Sequence, residues 1–150
     1  MLSDIVLRVP KRNDGSAVWQ LIKENPPLDL NSSYVYFKLC QFFEDSCVIA
    51  VQNEKVVGFV SSYREPQEPL SLFVWQIAVD ASLRGQGLAK KMLHELIRRP
   101  AQQDVKYIDA TVSSDNQASL KLFQSLARDL KTACFLSDFL EVECFRLSQY

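Results

Sequence analysis

Hydrophobic positions along the 150-residue chain recur with two periods, and the alternation between the two predicts the elements. Ile5 to Val9 (IVLRV) alternates as a strand does. Asn13-Asp14-Gly15-Ser16 is a turn and helix-cap signal, and Ala17 to Glu24 then reads as a short helix carrying Trp19, Leu21 and Ile22, stopped by Pro26-Pro27. Asp29 or Asn31 is placed to cap a second helix, Ser33 to Phe43, which is aromatic nearly all round. Cys47 to Val51 and Val56 to Tyr63 are strands joined by a four-residue hairpin loop, and Arg64 to Pro69 (REPQEP) reads as an exposed loop. A strand over 72–79, a helix over 86–98 closed by Pro100, and a strand from Val105 to Val112 follow. Ser113-Ser114-Asp115 caps a helix from Asn116 to Arg128, and Ala133 to Leu136 and Val142 to Leu147 are the last strands. The order β α α β β β α β α β β combines antiparallel hairpins with one βαβ crossover, which is the pattern of an α+β fold on a mixed sheet.

The crossover carries the first candidate chemistry. Phe73 to Val79 (FVWQIAV) is aromatic and β-branched, as a buried strand is. Leu88, Met92, Leu93, Leu96 and Ile97 lie on one helix face. Between them stands Arg84-Gly85-Gln86-Gly87. Glycines there let the backbone approach a ligand, and a helix start adds unpaired N–H donors and partial positive charge, a combination that suits a phosphate. A βα turn that needs glycine only for its geometry stands beside that reading. GxxxxGK[ST] is absent, and GxGxxG is broken because position 90 is Lys.

Composition narrows the field. With 47% hydrophobic and 23% charged residues, the chain suits one domain over 1–150 with a substantial core. The net charge is −1 and the basic residues are scattered, so no nucleic-acid stripe is present. No apolar run approaches the roughly 18 residues of a membrane span. The first residues, MLSDIVLRVPKRNDG, lack a signal-peptide pattern, so a cytoplasmic location is expected, with Cys40, Cys47, Cys134 and Cys144 as reduced, buried thiols. His94 is the only histidine and no CxxC pair accompanies it, so no metal site is expected.

The residues Arg84-x-x-Gly87-x-Ala89 fit [QR]-x-x-G-x-[GA], and Asn116-x-x-Ser119-x-x-Leu122-Phe123 fits a helix pattern after the next strand. Together they resemble the GNAT N-acetyltransferases. The resemblance implies a mostly antiparallel central sheet, splayed between two neighbouring strands and flanked by helices, with acetyl-coenzyme A as co-substrate and no metal. It implies that the backbone of Ile77, Ala78 and Val79 pairs with the pantetheine arm and helps hold the oxyanion. Arg84, Gly85, Gln86, Gly87, Leu88 and Ala89 would hold the pyrophosphate, and Asn116, Ser119 and Phe123 would face the pantetheine or thioester. Many members carry a tyrosine at the position of Phe123 that protonates the leaving thiolate. Phenylalanine has no proton to give, so here the thiolate leaves as the anion or takes its proton from another group or from water.

A narrower likeness runs through Pro26 to Tyr36, Asp45-Ser46-Cys47, Val57 to Ser61, Phe73 to Val79 and Ser114 to Ser119. These blocks resemble a branch of the family that acetylates the side-chain amine of a small diamino acid. That resemblance implies Trp75 as a pocket wall that positions the substrate for reaction, and the chemistry of an attacking amine picks out Asp29, in the Pro-Pro-Leu-Asp loop, as the ammonium-binding group supported by Tyr34, with Glu141 or Glu143 near the last strand as the base. Plainer roles stand beside each: a helix cap for Asp29, core packing for Trp75, a solvated edge for the glutamates. The stretch between Leu136 and Glu141 is shorter than in that branch, which keeps open another small diamine or ω-amino acid as substrate, and the missing tyrosine keeps open a non-catalytic acyl-coenzyme A module. A homodimer is what the resemblance implies for assembly, with a small amine as the only other partner.

Overall fold

The computed structural model describes residues 2–139 and 142–148, the side chains of Ser3, Asp138, Phe139 and 142–148 aside. In chain order the elements are β1 (Val6–Arg8), α1 (Asp14–Lys23), α2 (Ser33–Phe42), β2 (Cys47–Gln52), β3 (Lys55–Glu65), β4 (Glu68–Val79), α3 (Leu88–Ile97), β5 (Tyr107–Ser113), α4 (Gln117–Asp129), β6 (Cys134–Phe139) and β7 (Val142–Ser148). They fall into two compact units, Met1–Ser62 with Gln76–Gln103, and Tyr63–Trp75 with Asp104–Tyr150.

In the first unit β1, β2 and β3 pair antiparallel, from Arg8↔Ile49 to Val6↔Val51 and from Cys47↔Ser61 to Gln52↔Lys55. The runs Val48-Ile49-Ala50 and Val57-Gly58-Phe59-Val60 are buried throughout, because both faces of these strands are covered. On one face Ile49 and Phe59 join Val18, Leu21 and Ile22 of α1 and Tyr36, Leu39 and Cys40 of α2 in one core cluster. On the other, Gly58 lies under α3, and a Cβ there would stand 3.0 Å from both Sδ and Cε of Met92. The hairpin between β2 and β3 is tighter than the sequence suggests. Its turn is Asn53-Glu54 alone, both at positive φ (50° and 65°), the twist that two-residue hairpins require.

The two helices meet at Gly15. An added Cβ would lie 2.8 Å from the backbone N and Cα of Phe37. The glycine belongs to α1, which begins at Asp14, and not to a turn before it. Asp29 and Asn31 do not cap α2. Ser32 is its N-cap residue, and no side chain bonds there.

In the second unit the strand order is β4-β5-β7-β6. The first half of β4 runs parallel to β5 from Ser71↔Tyr107 to Val74↔Ala110. β5 pairs antiparallel with β7, and β7 with β6. Ile108, Ala110 and Val112 are buried while Tyr107, Asp109 and Thr111 are not, the alternation of a strand with one covered face. REPQEP is not a loop. β3 extends to Glu65 and β4 starts at Glu68, leaving only Pro66-Gln67 as the turn, steadied by Arg64, which donates to the Pro69 carbonyl (2.6 Å) and pairs with Asp104 (2.5 Å). The cap of α4 is Asn116, whose Oδ1 accepts from the Ser119 N–H at 3.2 Å, and not the Ser-Ser-Asp run before it.

Cys40 and Cys47 are fully buried and free, and burial pushes both thiols up to about 12, the neighbouring Cys47 adding to the rise at Cys40. Asp14 is held the opposite way. The Arg8 guanidinium grips its carboxylate at 2.7 and 2.9 Å and the Lys11 N–H donates to it at 2.6 Å, so its pKa lies below the usual carboxylate range. A depressed folded-state pKa gives stability that is present above the unfolded pKa of about 4 and lost as pH falls through the folded value. Asp14→Asn is therefore expected to lower stability by about 1 kcal/mol at pH 7, with the gap from wild type closing below about pH 4. Urea midpoints measured at both pH values check this; a gap that persists in acid would mean that the carboxylate acts through packing.

Candidate active site

The link from β4 to α3 is fixed at its start and bare at its end. Asp80 N–H donates to the Val57 carbonyl at 2.8 Å, and Asp80 Oδ1 accepts from Ser82 N–H at 3.0 Å and Ser82 Oγ at 2.7 Å. Those bonds, with Lys55 at 3.6 Å, hold the Asp80 carboxyl below its usual range. Asn25, only 5% exposed, accepts from Ala81 N–H at 2.9 Å and donates to the Leu21 carbonyl at 2.7 Å, tying the link to the end of α1. Beyond Arg84 the anchoring thins to a long bond from Gln86 Nε2 to the Ser82 carbonyl at 3.5 Å. Among the described residues, the backbone N–H groups of Gly85, Gln86, Gly87, Leu88 and Ala89 donate to no protein acceptor, and Lys91 N–H is bonded to the Gly87 carbonyl at 3.1 Å.

The glycines explain how such a row arises. Gly85 and Gly87 stand at φ +77° and +83°, which side chains rarely tolerate, and a Cβ on either would meet nothing within 4 Å. The space above both is open, and free donors border it. Gly87 is itself the N-cap residue of α3, so the partial positive charge of the helix start lies at the same place. Arg84 is exposed, with no ion pair among the described residues, and stands beside the row. This is the geometry of an anion cradle, and it fits the pyrophosphate of coenzyme A. Leu88 and Ala78 are 2% and 1% exposed, so neither offers its side chain to a ligand.

Upstream, the first unit builds a polar cluster around Gln76. Its Nε2 donates to the Asp29 carbonyl at 2.7 Å, its Oε1 accepts from Tyr36 Oη at 3.1 Å, and its backbone N–H donates to Ser61 Oγ at 3.2 Å. Tyr36 Oη accepts from Asn31 N–H at 3.3 Å and Asn31 Nδ2 at 3.4 Å. The Asp29 side chain is exposed, and its carboxylate makes no hydrogen bond or ion pair among the described residues. Tyr34 is 66% exposed, with Lys38 Nζ 5.2 Å from its ring centroid, so its own chain already places a cation on that ring. Gln76 and Tyr36 were not among the sequence candidates. The available signal was a polar residue in the otherwise apolar run FVWQIAV.

The second unit carries the remaining candidates. Trp75 on β4 is 43% exposed, too open for a core residue. Asn116 is exposed, and its Oδ1 bond to Ser119 N–H leaves the Nδ2 donor turned to other partners. Phe123 is 2% exposed, so its ring chiefly packs α4 and any contact with a ligand is confined to that small surface. Glu143 lies opposite Val112 in the β5–β7 ladder. Glu141 lies outside the described residues.

These features suit an acyl-coenzyme A-dependent transferase, and comparison with known proteins gives that class. The chain belongs to the acetyltransferase (GNAT) family, whose model matches residues 16–127. It is an N-acetyltransferase that uses acetyl-coenzyme A. It is 45% identical to the L-2,4-diaminobutyric acid acetyltransferase of Halalkalibacterium halodurans over 94% of this chain and 71% of that protein. It is 42% identical to the enzyme of the same name from Vibrio cholerae, over 93% and 80%. Among solved structures it superimposes with a TM-score of 0.90 on the diaminobutyrate acetyltransferase of Paenibacillus lautus in complex with L-2,4-diaminobutyric acid and coenzyme A, at 37% identity and over 96% and 94% of the two chains.

Proposed function

We propose that the protein transfers the acetyl group of acetyl-coenzyme A to the γ-amine of L-2,4-diaminobutyrate, giving the Nγ-acetyl product used in ectoine biosynthesis, by direct attack in a ternary complex. The observation that carries the substrate is the likeness, at 37–45% identity over nearly the whole chain, to proteins named for this amine, one of them solved with it. The chemistry of the site agrees. An ammonium needs a carboxylate to receive it, and Asp29 offers one that is exposed and unpaired among the described residues, on a segment held by Gln76.

The attacking amine must be neutral. With a lysine-like pKa near 10.4, removing its proton at neutral pH costs about 4 kcal/mol, so a base or water chain is required. We assign that role to Glu141 or Glu143, with Trp75 and Tyr34 walling the amine pocket. Gly85 to Ala89 hold the pyrophosphate with Arg84 adding charge, the backbone of Ile77 to Val79 receives the pantetheine arm, and Asn116, Ser119 and Phe123 are assigned to the pantetheine or thioester. Phe123 supplies no proton, so the departing thiolate, with a thiol pKa near 8.5, leaves as the anion or takes its proton from another group or from water. The matched span takes in parts of both compact units, so we read the chain as one catalytic domain, cytoplasmic and acting as a dimer.

Thiol release from acetyl-coenzyme A, measured with L-2,4-diaminobutyrate, ornithine, lysine and putrescine in parallel, tests the substrate. kcat/KM for diaminobutyrate is expected to exceed the others at least about tenfold, because even one methylene more or less misplaces the attacking amine. Equal values across the panel would overturn the assignment. Asp29→Asn is expected to raise the amine KM about tenfold and leave the acetyl-coenzyme A KM unchanged; an unchanged amine KM would remove Asp29 from the site.

A further inference from the structure

The geometry points to Gln76 as a positioning residue for the acceptor amine, an inference that rests on the amine-acetylating function above. The directions of its bonds are forced. The Asp29 carbonyl can only accept, so Nε2 must face it at 2.7 Å. Oε1 is then the atom facing Tyr36 at 3.1 Å, and Tyr36 must donate its hydroxyl proton there. The tyrosine oxygen keeps its lone pairs for the two Asn31 donors. One carboxamide on β4 thus ties down both ends of the Asp29-Leu30-Asn31 segment, the first directly and the second through the buried Tyr36 ring.

Two consequences follow for the reaction. Gln76 immediately precedes Ile77 to Val79, the strand assigned to the thioester end of the co-substrate, so a single side chain sets the height of the Asp29 carboxylate relative to that strand. Its donor and acceptor are both used and Tyr36 Oη is saturated, so neither moves a proton; they hold the segment that holds the amine. The amide is also neutral. A glutamate at position 76 would lose the donor to the Asp29 carbonyl and add a second negative charge beside the ammonium, favouring its charged form and making the nucleophile scarcer.

The test compares wild type, Gln76→Met, Gln76→Glu and Tyr36→Phe in steady-state kinetics with acetyl-coenzyme A and L-2,4-diaminobutyrate. Gln76→Met is expected to raise the amine KM about tenfold while the acetyl-coenzyme A KM stays within twofold, and Asp29→Asn added to it is expected to have little further effect, since both act at one point. Gln76→Glu is expected to move the acidic limb of the kcat/KM profile for the amine to higher pH. Tyr36→Phe keeps the ring and cuts the link to Asn31, so it decides the matter alone if the Gln76 variants fail to fold, with a smaller rise in the same KM. An unchanged amine KM, or equal rises in both KM values, would overturn the positioning role. If wild type prefers another amine of the panel, the same comparison is read with that amine. If wild type acetylates none, the functional reading fails and takes this inference with it, an outcome visible in the wild-type arm before any variant is measured.

Discussion

Gly87→Val is expected to raise the KM for acetyl-coenzyme A about 100-fold. The residue stands at φ +83° and opens α3. A β-branched residue is strained there by about 1–2 kcal/mol, and the loop relieves the strain by rotating the peptide planes on either side. Those planes carry the N–H groups that face the open space. Losing two charge-assisted hydrogen bonds to a pyrophosphate, at the low end of about 1.5 kcal/mol each, gives the hundredfold figure. Folding stability should fall by no more than that strain, because a Cβ at this position meets nothing within 4 Å. Calorimetry with coenzyme A, together with a melting curve, separates the two effects. A wild-type KM would mean that the loop does not bind the co-substrate.

Gly15→Val should do the reverse and destabilise the protein without singling out either substrate. Its Cβ would sit 2.8 Å from backbone atoms of Phe37, which cannot swing aside as a side-chain tip can. α2 would have to lift from α1 and from the core that Tyr36, Leu39 and Cys40 share with Val18, Leu21 and Ile22. Overpacking of this kind is expected to lower stability by about 3 kcal/mol and Tm by about 6–12 °C. Gly15→Ala is the sharper test of sign. Helix propensity alone would make it stabilising by up to about 1 kcal/mol, and the contact with α2 makes it destabilising. A raised Tm for the alanine variant would show that the helices are not in contact at that point.

These two glycines show what a sequence discloses and what it withholds. The left-handed backbone at Gly87 was legible because it is local: a strand, a glycine-containing turn and a helix start occupy consecutive residues. Gly15 was misread as part of a turn because its reason lies 22 residues further on, in the backbone of Phe37. The same divide runs through the rest. Strand and helix cores followed from periodicity, whereas REPQEP, with two prolines and no apolar pattern, gave no sign that β3 and β4 reach to within two residues of each other. Asp29 was singled out for the ammonium its carboxylate could receive, but the bond from Gln76 to its carbonyl joins positions 47 residues apart and no spacing rule encodes it. Asn25, which fastens the cradle to α1 through Ala81, was missed for the same reason at a separation of 56.

The buried thiols bear on a hazard peculiar to enzymes of this chemistry. Acetyl-coenzyme A is itself an electrophile, and any protein thiolate within reach can capture its acetyl group by thioester exchange. With their thiols pushed up to about 12, Cys40 and Cys47 are ionised at pH 7 to about one part in a hundred thousand. Both are also closed to the solvent that carries the co-substrate. The core therefore keeps two nucleophilic sulfurs beside a standing supply of activated acetyl groups without becoming a sink for them. Neither sulfur can serve as a relay on the way to the amine.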